Sequence, residues 1–172
     1  MRISKKFIMA LLALTILSPA ILSAAQGGDD VVLPEARDLS REGEEAQRRG
    51  LPILIMFSME HCPYCEIVRE EFLKPMLRSG DYDNKVIMRE IQSDSFETLR
   101  DFDGKAITAD ALAHRYNASL SPTVVFLDPD GRELVSRLVG ITTVHYYGGF
   151  LDDAIEQSLQ RMRSLALNQL AD

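Results

Sequence analysis

Two cysteines occur in the chain, Cys62 and Cys65, in the order Cys62-Pro63-Tyr64-Cys65. With only two residues between them, one turn of chain brings the sulfurs within bonding reach, so the pair can cycle between dithiol and disulfide. A compact apolar run ends just before the motif and a helical pattern begins at its first cysteine. The sulfur of Cys62 is therefore expected to face backbone N–H groups that have no partner inside the helix. Those donors and the helix dipole lower a thiol pKa from ~8.5 into the range of roughly 3.5 to 7.5. Cys62 is thus the expected nucleophile. Cys65, one turn further in, suits the resolving role, closing the ring once a mixed disulfide has formed. Pro63 fits a first helical turn, which has no use for its missing N–H. Tyr64 is expected on the exposed rim, and His61 stands beside Cys62 as a tuning group.

Other uses of two cysteines are weaker. A disulfide closing so short a loop removes about 2 kcal/mol of unfolded-state entropy, against ~3 for a fifteen-residue loop. A zinc site wants more ligands. The chain adds only His61, His114 and His145, without short His spacing. A copper-binding or assembly module using the two sulfurs stays open as a non-catalytic alternative; no metal site or cofactor is expected.

The elements around the motif follow from its neighbours. Asp38 to Arg49 is polar and helix-favouring, with Asp38 or Ser40 as cap and Gly50 as stop. Ile53 to Phe57 reads as a buried strand. After the cysteines, Ile67, Val68, Phe72 and Leu73 recur at helical spacing, with Glu66, Arg69, Glu70 and Glu71 on the other face; Pro75 is expected to end or kink this helix. Val86 to Ile91 supports a second strand, and Gln92 to Lys105 an irregular connection. Ala109 to Tyr116 is a short helix capped by Thr108, and Thr123 to Leu127 a strand. Asp128-Pro129-Asp130-Gly131 is turn chemistry that returns Glu133 to Val139 as the second arm of a hairpin. Tyr147 to Leu170 carries the stripe of a terminal helix. The order predicts an α/β fold, a single domain with a central mixed β-sheet flanked by helices.

Arg2, Lys5 and Lys6 precede an apolar run from Phe7 to Leu17, then Ser18-Pro19 and small Ser23, Ala24 and Ala25. That order predicts a signal peptide over residues 1–25, cleaved after Ala25, and a periplasmic destination. The run is shorter than the ~20 apolar residues a membrane-spanning helix needs. Residues 26–37, with Gly27-Gly28-Asp29-Asp30 and Pro34, read as a flexible lead-in, and 38–172 as the folded domain. Losing three basic residues takes the net charge from −7 to −10. Phosphate binding needs clustered Lys and Arg, so nucleic acid is an unexpected partner.

In order, the strand Ile53 to Phe57, Cys62-Pro63-Tyr64-Cys65, Ser121-Pro122-Thr123 leading into a strand, the Asp128-Pro129-Asp130-Gly131 hairpin and Gly140 resemble the thioredoxin-like superfamily, specifically its exported members, over Asp38 to about Leu165. The resemblance implies a thioredoxin-like fold and thiol:disulfide oxidoreductase activity. It also implies that Pro122 is cis and lies against the sulfurs, and that Ser121 offers its backbone to an extended substrate chain. Three departures stand out. The family's buried Asp in the strand before the motif, which helps move the second thiol's proton, is Met56 here, leaving Glu60 or water as substitutes. The Trp before the first Cys is His61, and the Gly-Pro pair between the cysteines is Pro63-Tyr64. Glutaredoxins share Cys-Pro-Tyr-Cys, but place a glutathione-holding Gly-Gly soon after their cis-proline; Gly148-Gly149 lies 26 residues beyond Pro122 and reads as a loop before the last helix.

The implied partners are thiols and disulfides of exported proteins, with a membrane relay supplying electrons if the protein reduces them. Direction stays open. Related pairs span about −270 to −120 mV, roughly 7 kcal/mol. Reduction or reshuffling is the preferred direction; a disulfide-donating oxidase is the alternative.

Overall fold

The structure, a computed structural model, describes residues 31–169. The segment 1–25, expected to be a signal peptide, lies outside the described residues. Helix α1, Leu39–Arg49, is capped as expected: the Asp38 carboxylate accepts from the N–H of Arg41, and Gly50 closes the helix in the left-handed region at φ 66°. Strand β1, Ile53–Ser58, is buried at every position. It is a central strand covered on both faces, which is why its sequence is a continuous apolar run.

Helix α2, Pro63–Val68, passes into a π-helical turn, Arg69–Leu73, and then into α3, Lys74–Ser79. Pro75 therefore does not end the helix. The proline ring crowds the carbonyl four residues back, and the π turn immediately before it, in which the N–H of Lys74 reaches Arg69, opens the spiral where that crowding falls. The helix stops instead at Gly80, φ 73°.

Strand β2, Ile87–Gln92, pairs parallel with β1, and β5, Thr123–Leu127, pairs antiparallel on its other side. With the short β6, Leu138–Val139, the sheet order is β2-β1-β5-β6. The expected hairpin is thus only partly paired: Thr123 and Val124 meet Val139 and Leu138, Leu127 bridges Glu133, and the chain between bulges away. Gln92 to Lys105 is not wholly irregular. Thr98–Arg100 (β3) pairs with Ala106–Thr108 (β4) as a small separate ribbon, closed by Asp101 to Lys105 and leading straight into α4, Ala109–Arg115, which Thr108 caps.

The last helix, α5, is Val144–Gln169. Gly148 and Gly149 lie inside it and not in a loop. Gly148 sits where α5 passes Phe72, whose ring a Cβ there would meet at 3.5 Å. The lead-in is partly ordered too. Leu33 and Ala36 are buried, and the N–H of Ala36 and the carbonyl of Pro34 bond the backbone of Glu90 at 2.9 Å each. Residues 34–36 therefore cover the outer edge of β2.

Side chains show which helices share a face. Arg89 on β2 reaches Glu42 of α1, and Phe57 packs on Tyr116 at the end of α4, with ring centroids 5.8 Å apart. The next residue on β2, Glu90, points to the opposite face and meets Arg69 of the π turn; Phe72 and Tyr147 join that turn to α5 on the same side. Helices α1 and α4 thus lie on one face of the sheet, and α2, α3 and α5 on the other. Among the described residues, no helix is long and apolar enough to cross a membrane.

Candidate active site

Strand β1 delivers the motif to the end of the sheet. After Ser58 the chain leaves the strand, and Cys62 becomes the N-cap of α2 with extended φ/ψ of −96° and 102°. Its carbonyl accepts from the N–H groups of Cys65 and Glu66 at 3.1 Å, and its sulfur accepts from the N–H of Cys65 at 3.2 Å. Pro63 occupies the first helical position.

The two cysteines form a disulfide with Cα atoms 5.3 Å apart, inside the usual range for such bonds. Their exposure differs: Cys62 is partly open to solvent, whereas Cys65 is fully buried, at 0%. Tyr64, 59% exposed, stands on the rim beside them. The pair is asymmetric in the sense the sequence suggested. One sulfur can be reached by another molecule, and the other lies behind it.

The Ser121–Pro122 peptide bond is cis. The β1–β5 register pairs Phe57 with Thr123, so Pro122 falls beside Ser58, at the end of the sheet from which the motif emerges. This segment is tied down by the Thr123 hydroxyl, which donates to the carbonyl of Leu120 at 2.6 Å, and by the N–H of Gly140, which donates to the carbonyl of Pro122 at 2.8 Å. Gly140, at φ 66°, makes the turn off β6 that aims this N–H.

His61 is highly exposed and sits at φ 56°, in the left-handed region. Its ring nitrogen lies 3.5 Å from the carboxylate of Glu60. Glu60 points outward to this partner and does not fill the place left by the missing acid; Met56, which holds that place, is fully buried. His114 and His145 are exposed on α4 and α5, and no cluster of three metal-ligating side chains occurs among the described residues.

Two contributors were not legible beforehand. Ser93, just past β2, donates its hydroxyl and its N–H to the carbonyl of Ser58, both at 2.7 Å, and its oxygen lies 3.4 Å from that of Ser121. It thereby links the exits of β1 and β2 to the cis-proline segment. Asp94 accepts the N–H of Glu60. The signal for both was positional: β1 and β2 are parallel, so polar residues after β2 fall at the same sheet end as the cysteines. Apart from these two, the ion pair of Arg69 with Glu90 lies beneath the helix that carries Cys65.

The sequence model of the thioredoxin-like domain matches residues 39–155. Among solved structures, a DsbH oxidoreductase is 16% identical and superposes over 74% of this chain and 88% of its own with a TM-score of 0.54, a likeness of fold. A poplar thioredoxin h is 20% identical over 65% of this chain and 84% of its own, TM-score 0.46. A thioredoxin-fold protein from Helicobacter pylori is 18% identical over 70% and 86%, TM-score 0.44. No curated protein matches the chain in sequence.

Proposed function

The chain belongs to the thioredoxin-like domain family, and from that footing we propose that it is an exported thiol:disulfide oxidoreductase that reduces or reshuffles disulfides of other exported proteins. The observation that carries the proposal is the asymmetry of the pair: a partly exposed Cys62 whose sulfur receives the Cys65 N–H, bonded to a buried Cys65 one turn inside the same helix.

In the reducing direction the protein starts as the dithiol. The Cys62 thiolate attacks one sulfur of a client disulfide; a Cys62–client bond forms, and the other client sulfur leaves as a thiolate that takes a proton from water. Cys65 then gives up its proton and attacks the Cys62 sulfur. The intramolecular disulfide forms and the second client sulfur departs. The client gains two electrons and two protons, and the protein must be recharged by an external dithiol, which in an oxidising compartment means a dedicated donor such as a membrane relay. Pro122 and the backbone of Ser121, at the same sheet end as the motif, are the surface this reading assigns to the client chain. The support for export is the order of charged, apolar and small residues in 1–25.

Replacing Cys65 with Ser tests the chemistry. Such a protein should stall as a covalent mixed disulfide with client proteins of a periplasmic extract, releasable by dithiothreitol and absent from the Cys62→Ser variant. If no client is trapped and the wild-type protein fails to reduce insulin, the exchange proposal falls. A mature N-terminus at Gln26 in a periplasmic fraction would support export; retention of Met1 in the cytoplasm would refute it. Equilibration against glutathione fixes direction, with a potential near about −120 mV favouring an oxidase and one near about −270 mV a reductant.

A further inference from the structure

Met56 leaves its place under the active-site helix without the carboxylate that the family resemblance puts there, but the position beside it is not empty of charge. In the parallel register Met56 pairs with Glu90. Laterally paired residues share a sheet face, so the Glu90 side chain enters the same layer. It is 11% exposed and accepts two hydrogen bonds from Arg69, from Nε at 2.9 Å and from Nη2 at 2.5 Å. The other Arg69 Nη lies 2.6 Å from Glu66.

Arg69 stands four residues beyond Cys65, and its N–H donates to the Cys65 carbonyl, so it sits one helical turn below that sulfur on the same flank. Hydrogen bonding to Glu90, ahead of the contribution from Glu66, holds the Arg69 guanidinium even further above its ordinary range, so its charge is permanent. The backbone of Glu90 is clamped by Pro34 and Ala36. A buried ion pair of this kind is poor evidence for stability, because its desolvation cost is comparable to its Coulombic gain. Its position one turn from the reactive pair is better explained by what its field does there.

Charges facing this region come from each neighbouring element. The helical segment supplies Glu66, Arg69 and Lys74; β2 supplies Glu90; the motif loop supplies Glu60 and His61; the covering segment supplies Glu35 and Arg37. One open groove of about 670 Å³ is lined by all eight. Lys74 is paired with Glu70 and Arg37 with Glu35, and Glu60 stands out in solvent, which screens its charge. What remains is Glu66, Arg69 and Glu90, two carboxylates on one guanidinium.

We infer that Glu66, Arg69 and Glu90 together take the electrostatic place of the missing buried acid, as a positioning set of net charge −1 that holds the Cys62/Cys65 couple toward the reducing side. The inference rests on the exchange chemistry proposed above. Negative charge near the sulfurs disfavours a thiolate, hence the reduced form, and lowers the potential.

The test uses the sign of the charge change. Glu90→Gln and Arg69→Gln break the same bidentate pair, so a purely structural role moves both potentials the same way or leaves both unmoved. An electrostatic role moves them apart. Glu90→Gln removes one negative charge and should shift the equilibrium constant with glutathione about three- to tenfold toward the dithiol, ~15 to ~30 mV more oxidising. The Cys62 thiolate should then titrate about 0.5 to 1 pH unit lower. Arg69→Gln leaves the set at −2 and should move both readouts the opposite way by a similar factor. The double Gln variant restores −1 and should return within about twofold of wild type. If a single variant fails to fold, Glu66→Gln removes a charge while leaving both Arg69–Glu90 hydrogen bonds in place and should follow the direction of Glu90→Gln, more weakly because Glu66 is exposed. Potentials that all move together, or none that move, overturn the inference while the exchange chemistry stands; a wild-type protein that never equilibrates with glutathione overturns the exchange proposal itself.

Discussion

Asp94 places both carboxylate oxygens on a single donor, the backbone N–H of Glu60, at 3.1 and 3.3 Å. The contact spans the sheet end, from the segment after β2 to the segment between β1 and Cys62. It fixes the loop two residues before the partly exposed Cys62. The same N–H would otherwise turn to water and leave the approach to Cys62 less ordered.

Asp94→Ala should therefore slow chemistry more than it costs stability. The reaction of reduced Cys62 with iodoacetamide and the insulin-reduction rate should fall about three- to tenfold, while unfolding free energy drops by only ~1 kcal/mol, since the bond is solvent-exposed. Asp94→Asn keeps one acceptor oxygen and should lie between. Equal rates in all three proteins would show that the loop is held without Asp94.

Gly43 separates local propensity from packing. In an ordinary helix interior Gly→Ala stabilises by about 0.8–1 kcal/mol. Here a Cβ would stand 2.4 Å from the backbone oxygen of Pro129. That turn is in no position to retreat. Asp128 accepts from the N–H groups of Asp130 and Arg132 at 2.9 and 2.8 Å, and the Tyr116 hydroxyl donates to the carbonyl of Gly131 at 2.7 Å. Overpacking of this kind costs about 1–3 kcal/mol, so the sign should reverse. Gly43→Ala should melt about 3–6 °C below wild type with its redox potential unchanged.

What was legible in the sequence was mostly local. The caps at Asp38, Thr108 and Cys62 bond residues only three positions on, and the strand Thr123–Leu127 is a dense apolar run, so each could be placed from its own neighbourhood. The pairing of Leu99 with Ile107 could not, because the flanking residues are polar and the ribbon has almost no apolar alternation. Arg69 misled in another way. Its helical position groups it with Glu66 and Glu70 on the polar face, and only the fold reveals that a long side chain from that face turns under the helix to a carboxylate 21 residues ahead. Gly148-Gly149 looked like a loop on propensity; docking of α5 on Phe72 overrides that preference.

His61 is held at φ 56° with its side chain almost wholly in solvent, so neither burial nor a strong partner explains the conformation. It follows from the sharp turn that carries the chain from β1 into the helix. Histidine tolerates this region better than most residues, and a β-branched one tolerates it poorly. His61→Val should cost about 1–2 kcal/mol in urea unfolding, while His61→Gly should stay within ~0.5 kcal/mol of wild type. A Val variant as stable as the Gly variant would mean the turn relaxes.

Tyr147 is buried against Phe72, ring centroids 5.2 Å apart, and its hydroxyl has no hydrogen-bond partner among the described residues. Burial raises its pKa far above the ordinary tyrosine value. Tyr82 is raised as well, to about 12, first by the hydrogen bond it donates to Asp152 at 2.5 Å and then by burial. Both groups hold their protons more tightly folded than unfolded. Their contribution to stability is therefore complete below pH ~10, where the unfolded chain is also protonated, and is lost as pH rises from about 10 toward 12 and beyond. Tyr147→Phe removes an unsatisfied buried hydroxyl and keeps the ring, so it should stabilise by ~1 kcal/mol at pH 7. Because it also deletes one of the ionisations driving alkaline unfolding, its advantage over wild type should widen between pH 10 and 12. An advantage that is constant with pH would show that the Tyr147 hydroxyl does not resist ionisation in the fold, and a loss of stability at pH 7 would show that the hydroxyl is satisfied after all.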